Sequence, residues 1–279
     1  MEAFQKIHPL EFYRKFLERS VRPDGRSLTD IRKTTLSVGS ITTCSGSSFV
    51  KIGNTSVVCG IRAEVGEPPS INQTGIVSNQ SKNHSYIFVN VELGPICSNA
   101  FSSSKPSEKA MSLGTQLNAL INRLDIPTTD FYFDNEGKAR WYLYVDIYCL
   151  DYDGNITDAS IIAMLSALKN VTLQQGIIVE PNQYFKDSEQ PTRKLSIQNN
   201  YFIPLSFAVI DDYILSDPCL EEEKLSSGQI TITFNENQEI CLLLYTGTNG
   251  IADDHLKKCI QLTKNRFDFI NKLVNENNS

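Results

Sequence analysis

The sequence LDYDGN at residues 150–155, together with RPDGR at residues 22–26, decides how this chain is organised. LDYDGN follows a run that is typical of a β-strand, residues 141–150, and precedes an almost wholly apolar run, residues 159–168, which predicts a buried helix. In RPDGR, Pro23 presets the backbone φ angle and Gly25 permits a sharp exit, so the segment predicts a turn.

The segments around these two motifs follow the same order twice. Residues 9–17 predict an amphipathic helix that carries a proline in its first turn, and two β-rich runs separated by Gly53 and Asn54 predict a hairpin. In each half strands are followed by a helix, and the last helix has an apolar stripe at helical spacing. The sequence therefore predicts an α+β architecture of two similar strand–helix halves.

The predicted boundaries follow from the polar stretches. Residues 66–85 are polar and predict a long loop, and residues 180–194 predict a polar connector between the halves. We expect a helical arm over residues 1–21 and a single domain over residues 22–279. Its first half covers about 22–172, and its second half covers about 195–279.

The charge of the chain limits how it contacts nucleic acid. The 279 residues carry a formal net charge of −6, and 41% of them are hydrophobic. Proteins that bind nucleic acid unaided usually have a strong basic excess, so RNA contact here requires a local basic strip or partner chains. The richest basic stretch, residues 14–33, is interrupted by acids and fits a solvated helix face as well as it fits an RNA or subunit contact.

The cysteine and histidine residues offer no metal site. The seven cysteines are scattered without a C-x-x-C pair, which indicates buried thiols in a reducing compartment. His8, His84 and His255 lie far apart, and no phosphate-binding loop motif is present. The sequence predicts no metal and no cofactor, and no apolar run is long enough to predict a signal peptide or membrane span.

Three stretches in this order resemble the RNase PH family, whose members shorten RNA from its 3′ end with inorganic phosphate. They are RPDGR at 22–26, the hairpin at 46–59, and VDIYCLDYDGN at 145–155. The LDYDGN form is similar to the non-catalytic branch found in archaeal and eukaryotic RNA exosomes. The resemblance covers nearly the whole chain and implies an RNase PH-like fold (ribosomal protein S5 domain 2-like) assembled as a six-membered ring.

The resemblance places the phosphate-binding turn at Gly154, Asn155, Ile156 and Thr157. Active relatives hold phosphate with backbone N–H groups at a helix N-terminus. Here Ile156 adds bulk without a donor, and Asp158 places a carboxylate in the first helical turn, where it repels a second anion. The turn is therefore predicted to be degenerate, with Asn155 or Thr157 acting as a helix N-cap.

The resemblance also implies an acidic pair that positions a metal or the leaving hydroxyl. Glu223 occupies the first position, but Gln229 replaces the second carboxylate. An amide cannot act as a general base, and it is a weaker ligand for a hard cation. We predict a degenerate site without a catalytic residue or metal, and we expect residues 221–223 to form a solvated turn.

The positions that contact RNA in catalytic relatives are also changed. In catalytic relatives the start of this helix supplies arginines, which hold phosphate with two parallel hydrogen bonds. In this chain the same segment contains only Lys105 and Lys109. The candidates for RNA contact are therefore Lys105 and Lys109, together with Arg22 and Arg26 in the RPDGR turn.

The function implied by the resemblance is a non-catalytic structural subunit of the RNA exosome ring. It supports 3′→5′ RNA processing and degradation, in rRNA maturation and RNA turnover, by nucleases on other chains. The implied partners are other RNase PH-like ring subunits, cap subunits and RNA reached through the assembly, with no membrane, in the nucleus, nucleolus and cytoplasm. The alternative is an active phosphate-dependent 3′→5′ exoribonuclease that completes its site with a neighbouring subunit, and a free-standing RNA chaperone is disfavoured by the negative charge.

Overall fold

Strands and helices alternate along the chain in the computed structural model, which describes residues 2–68, 86–102, 105–134, 136–180, 183–186, 192–197, 202–247 and 250–278. The elements in chain order are α1 (Glu2–Ile7), α2 (Pro9–Leu17), β1 (Thr34–Val38), β2 (Gly46–Ile52), β3 (Thr55–Gly66), β4 (Ile87–Glu92), α3 (Glu108–Ile121), a 3-10 turn (Thr128–Phe131), β5 (Arg140–Asp151), α4 (Ile156–Asn170), β6 (Thr172–Leu173), β7 (Gly176–Glu180), β8 (Gln183–Lys186), β9 (Arg193–Lys194), β10 (Ile203–Ile210), β11 (Tyr213–Ser216), α5 (Leu220–Leu225), β12 (Gly228–Phe234), β13 (Ile240–Gly247) and α6 (Asp253–Asn278). Most of the predicted loop at 66–85 lies outside the described residues.

The first half is built on a five-stranded sheet in the order β1-β2-β3-β5-β4. Its neighbours are antiparallel except for β4, which runs parallel to β5. The hairpin predicted at Gly53 and Asn54 is confirmed, since Ile52 pairs with Thr55 and Gly53 has a φ of +57°. Glycine adopts that backbone conformation more readily than residues with a Cβ, which explains its use in the turn.

The second half is built on a four-stranded antiparallel sheet in the order β11-β10-β12-β13. Helix α4 packs against β2 and β3 of the first sheet and against β10 of the second, so it is buried nearly all round. Helix α6 packs on β10, β12 and β1. The predicted α+β fold of two strand–helix halves is confirmed, with α4 forming the centre of the core.

The segment between the halves contains more regular structure than the polar connector predicted for 180–194. β7 and β8 form a small antiparallel hairpin, and β9 pairs with β6. Apolar residues Ile177, Ile178, Tyr184 and Phe185 lie on these two strands, which suits strand pairing better than an extended linker. The connector prediction is corrected for the described part of this segment.

The N-terminal arm packs on the second half of the chain rather than on the first. Phe12, Tyr13 and Leu17 of α2 are buried, and Leu17 joins Ile210 and Leu215 in a small separate core. The fold therefore brings the beginning of the chain to the strands that follow residue 202. No helix in the described residues combines the length and apolar character that crossing a membrane requires.

Candidate functional site

The turn before α4 is held tightly against the loop that follows β11. Gly154 has a φ of +76°, and a Cβ at this position would lie 2.5 Å from the carbonyl carbon of Cys219. Asn155 also has a positive φ, and its side chain donates to Asp217 Oδ1 at 2.6 Å and to Asp158 Oδ2 at 3.0 Å. Asn155 thus stands at the N-cap position, but its side chain makes no capping hydrogen bond, which corrects the predicted capping role.

Asp158 does not face a ligand at the helix entry. Its carboxylate is wholly buried and accepts hydrogen bonds from Ser206 Oγ at 2.7 Å and from the Ser206 main-chain N–H at 3.1 Å. Burial raises the pKa of Asp158, and the nearby Arg266 guanidinium opposes that rise. Asp158 lies in the first turn of α4 as predicted, and its buried carboxylate links α4 to β10.

Glu223 is surrounded by hydrogen-bond donors from the first half of the chain. Its carboxylate accepts from Lys109 Nζ at 2.8 Å, from the Tyr152 hydroxyl at 2.7 Å and from the Asn155 main-chain N–H at 2.6 Å. Burial and the Glu223 charge raise the pKa of Tyr152, so its hydroxyl remains protonated and donates. The N–H of Asn155, in the turn that the resemblance selected as the phosphate-binding turn, is thereby bonded to a carboxylate of the same chain.

The acidic run around Glu223 forms the helix α5, which corrects the predicted solvated turn. Glu222 is 1% exposed, its carboxylate accepts the main-chain N–H of Cys219 at 2.9 Å, and it pairs with Arg22. Carboxylates in the first helical turn are favoured by the helix dipole. The helix therefore presents Glu222 to one side and Glu223 to the other, and Glu221 is the exposed member of the run.

The segments that the resemblance selected do meet in space. Lys109, Ile156, Thr157 and Gln229 line one cavity of about 180 Å³ between α3, the start of α4 and the second sheet. The remaining lining residues are Ser112, Leu113, Gln116, Thr231, Leu244 and Thr246. None of the lining residues carries a carboxylate, and Ile156 and Leu113 give the wall an apolar part.

Arg22 is a structural residue, and its prediction as an RNA contact is wrong. It has no exposed surface, and its guanidinium donates to the carbonyls of Ser216 at 2.5 Å and Leu28 at 2.6 Å and to Glu222 at 3.3 Å. Burial lowers the pKa of Arg22, and Glu222 opposes this shift. An arginine with these partners fixes the RPDGR turn to the second half and cannot reach a ligand.

Asp217 is the centre of a buried network that sequence reasoning missed. Arg32 donates to it twice, from Nε to Oδ2 and from Nη2 to Oδ1, both at 2.9 Å. Burial raises the pKa of Asp217, but the Arg32 hydrogen bonds and charge outweigh it and hold the pKa below its ordinary value. The carbonyl oxygen of Asp217 accepts from Arg26 at 3.0 Å, which leaves the Arg26 side chain only 15% exposed.

The two lysine candidates differ in their surroundings. Lys105 is exposed in the segment before α3, where it can meet an anion from solution. Lys109 pairs with Glu223 and lies 4.7 Å from the centroid of the Tyr152 ring, so its charge is already partly satisfied. RNA contact by Lys105, Lys109 and Arg26 stays a prediction, with Lys105 the most accessible of the three.

In the part of the chain that the structure describes, no three His, Cys, Asp or Glu residues are grouped to hold a metal ion. The seven cysteines are free thiols, and burial raises the pKa of Cys59, Cys149 and Cys259.

The two halves of this fold match the two domains of one protein family. Residues 30–174 match domain 1 of the 3′ exoribonuclease family, RNase PH, and residues 200–266 match its domain 2. The chain therefore belongs to this family, as the three sequence stretches indicated.

Among its relatives is the exosome complex component rrp43 of Schizosaccharomyces pombe, which is 33% identical over 95% of this chain and 94% of its own length. The sequence of residues 9–17, before the RPDGR turn, also resembles this rrp43 type of subunit. Exosome complex component Rrp42 of Methanopyrus kandleri is 30% identical over 91% of this chain and 90% of its own length.

A solved structure shares the fold. A chain of the Archaeoglobus fulgidus exosome with RNA bound to the active site superposes with a TM-score of 0.74. That match covers 94% of this chain and 96% of the archaeal one at 24% identity. The match shows that the two chains share a fold over nearly their full lengths.

Proposed function

We propose that this chain is a non-catalytic structural subunit of the RNA exosome ring. It joins other RNase PH-like ring subunits and cap subunits, and it supports 3′→5′ processing and degradation of RNA by nucleases on other chains. Its work belongs to rRNA maturation and RNA turnover in the nucleus, nucleolus and cytoplasm. The similarity to exosome components over nearly the full chain supports this role.

The observation that carries the non-catalytic part is the state of Glu223. Its carboxylate has three donors from the same chain, and the second acidic position is an amide, Gln229, on the wall of the neighbouring cavity. Hard cations need clustered oxygen ligands, and one engaged carboxylate beside an amide does not supply them. The negative charge of Glu223 beside the turn before α4 also opposes the binding of phosphate at that turn.

The same contacts weigh against an active exoribonuclease that borrows residues from a neighbour. A neighbour could add a carboxylate, but it would still meet a lysine and a tyrosine that already hold Glu223. Freeing Glu223 would leave the main-chain N–H of buried Asn155 without its partner, and an unsatisfied buried donor is costly.

The test is phosphorolysis by the purified chain and by a complex assembled with other RNase PH-like ring chains. We expect no nucleoside diphosphate release from single-stranded RNA by the isolated chain with magnesium and phosphate. Any activity of the complex should be unchanged by Glu223→Ala in this subunit. Glu221→Ala, an exposed acid on the same helix, is the matched control.

Two results would contradict the proposal. One is diphosphate release that Glu223→Ala abolishes and Glu221→Ala preserves, which would identify an active site. The other is a chain that stays monomeric in size-exclusion chromatography with light scattering and forms no complex with the ring chains. That result would contradict the proposed structural role.

A further inference from the structure

A second cavity lies between α6 and the segment that leads into β1. Its volume is about 380 Å³, which falls within the roughly 300–1,000 Å³ of small-molecule pockets. It shares no lining residue with the cavity that holds Lys109 and Gln229. Its walls come from the start of the first sheet and from the last helix, and clefts between two packed parts of a fold are common places for small ligands.

One face of α6 supplies a wall of this cavity. Leu262, Asn265, Arg266 and Phe269 are spaced as i, i+3, i+4 and i+7, so they lie on the same side of the helix. Phe269 is 59% exposed, although it is one of the larger apolar side chains of the helix. Ile31 lines the cavity from the segment before β1. The cavity therefore has apolar surface on both of its sides.

Arg266 gives this wall a buried cation whose donors are not used. Its side chain is 2% exposed, and its Nε, Nη1 and Nη2 make no hydrogen bond to any residue that the structure describes. Asp158 Oδ2 lies 3.7 Å from Nη1, which is an ionic contact longer than a hydrogen bond. Buried donors are normally satisfied, and a guanidinium carries five N–H groups in one plane. Arg266 is therefore suited to a ligand oxygen at the cavity.

The two buried carboxylates that interact with Arg266 take their hydrogen bonds from other groups. Asp158 accepts from the hydroxyl and the main-chain N–H of Ser206. Asp217 accepts two hydrogen bonds from Arg32, at 2.9 Å each. Arg32 lines the same cavity, but it also donates to the carbonyl of Asp153, so its guanidinium is already engaged. Arg266 is thus the buried guanidinium that can hold an anion here.

The charges near Arg266 favour an anion with a single charge. Asp158 and Asp217 both lie within electrostatic reach of Arg266, so a doubly charged anion such as phosphate would meet two negative charges. No residue that lines the cavity is acidic, and exposed Lys33 adds a positive charge to the lining. A carboxylate has one charge and two oxygens, which match the planar fork of an arginine.

We propose that this cavity binds a small organic carboxylate that carries an apolar group. The carboxylate accepts two parallel hydrogen bonds from Arg266, and the apolar group packs against Ile31, Leu262 and Phe269. The inference goes beyond the proposed function and does not depend on it. A ligand in this place contacts both the segment before β1 and α6, so its binding stabilises the folded chain.

Titration calorimetry on the wild-type chain tests the class of ligand. The probes are phenylacetate and isovalerate, with phenylacetamide as the neutral control of similar shape and inorganic phosphate as the doubly charged control. Phenylacetate should bind about tenfold more tightly than phenylacetamide or phosphate, because only the carboxylate satisfies the Arg266 fork with one charge. Equal binding of the amide, tighter binding of phosphate, or no binding of either carboxylate would overturn the proposal.

Variants on α6 test the place of binding. Arg266→Lys keeps a positive charge beside Asp158 but removes the planar fork, so it should weaken phenylacetate binding about tenfold. Phe269→Ala changes an exposed side chain and should weaken binding about threefold by removing an apolar contact. Phe185→Ala is the matched control, since Phe185 is 56% exposed on β8, outside the cavity, and it should leave the affinity unchanged.

Circular dichroism of each variant shows whether it is folded. If Arg266→Lys does not fold, the comparison of Phe269→Ala with Phe185→Ala decides the place of binding. Equal affinities in these two variants, or an unchanged affinity in folded Arg266→Lys, would show that phenylacetate binds elsewhere on the chain and that the proposal is wrong.

Discussion

Arg32 and Asp217 are 185 residues apart in the chain, and they are joined by two parallel hydrogen bonds of 2.9 Å. The side chain of Asp217 has no exposed surface, and that of Arg32 is 10% exposed. The pair therefore links the segment after the RPDGR turn to the end of β11. Because both side chains are buried, leaving either charge unpaired would be costly in free energy.

Asp217→Ala should destabilise the chain strongly. Removing one partner of a buried ion pair leaves the other charge uncompensated, and the expected loss is about 3–5 kcal/mol. Chemical denaturation followed by circular dichroism measures it. Arg14→Ala is the control, because Arg14 and Asp211 form an exposed pair whose loss should be much smaller. Similar losses in the two variants would contradict the importance of the buried pair.

The contribution of Asp217 should depend on pH in one direction. Its pKa in the folded chain lies below the ordinary value of 3.8, so its stabilising effect is present above pH 3.8. That effect is lost as the pH falls through the folded pKa. The stability difference between the wild type and Asp217→Asn should therefore shrink below about pH 4. A difference that stays constant down to pH 2.5 would show that the charge of Asp217 is not what stabilises the fold.

Gln229→Asp should not create phosphorolysis. The substitution restores a second carboxylate, but Glu223 remains held by Lys109, Tyr152 and the Asn155 N–H. Nucleoside diphosphate release from RNA with magnesium and phosphate is the measurement, with Gln229→Asn as the uncharged control. Release that appears in Gln229→Asp alone would mean that Glu223 exchanges its partners easily.

RNA binding by the isolated chain should be weak and sensitive to Lys105. The net charge is −6, so we expect a dissociation constant in or above the non-specific range of about 1–100 μM at physiological salt. Lys105→Glu should weaken it further, and Lys138→Glu, another exposed lysine, should change it less. Fluorescence polarisation across a salt series measures both. Nanomolar affinity, or equal effects of the two variants, would contradict the prediction.

The sequence predicted best those features that depend on neighbouring residues. The hairpin at Gly53 follows from turn chemistry, and the burial of α4 follows from its nearly continuous apolar run. The order of three short motifs selected the family correctly. It also selected Lys109, Thr157 and Gln229, which the fold brings to one cavity.

Features that depend on distant pairing could not be predicted in this way. Asp217 lies between a serine and a proline, with no local pattern that marks it as a partner of Arg32. Arg22 was predicted as an RNA contact because it is a basic residue of the RPDGR turn, but it is buried and donates to the carbonyls of Leu28 and Ser216. Residues 221–223 were expected to be solvated, but Glu222 pairs with Arg22 and Glu223 accepts from Lys109 and Tyr152, all of which are distant in the sequence.

The N-terminal arm cannot form its native contacts until the second half of the chain has been synthesised. Arg22, Arg32 and α2 pack against residues between Ile210 and Asp217, so their partners are synthesised long after them. At 5–20 residues per second, translation of the intervening 185 residues takes about 10–40 seconds. During that interval the arm of a nascent chain waits without its binding surface. Ribosome-stalled chains ending before residue 203 should therefore expose the arm to protease, and chains that extend past residue 250 should protect it.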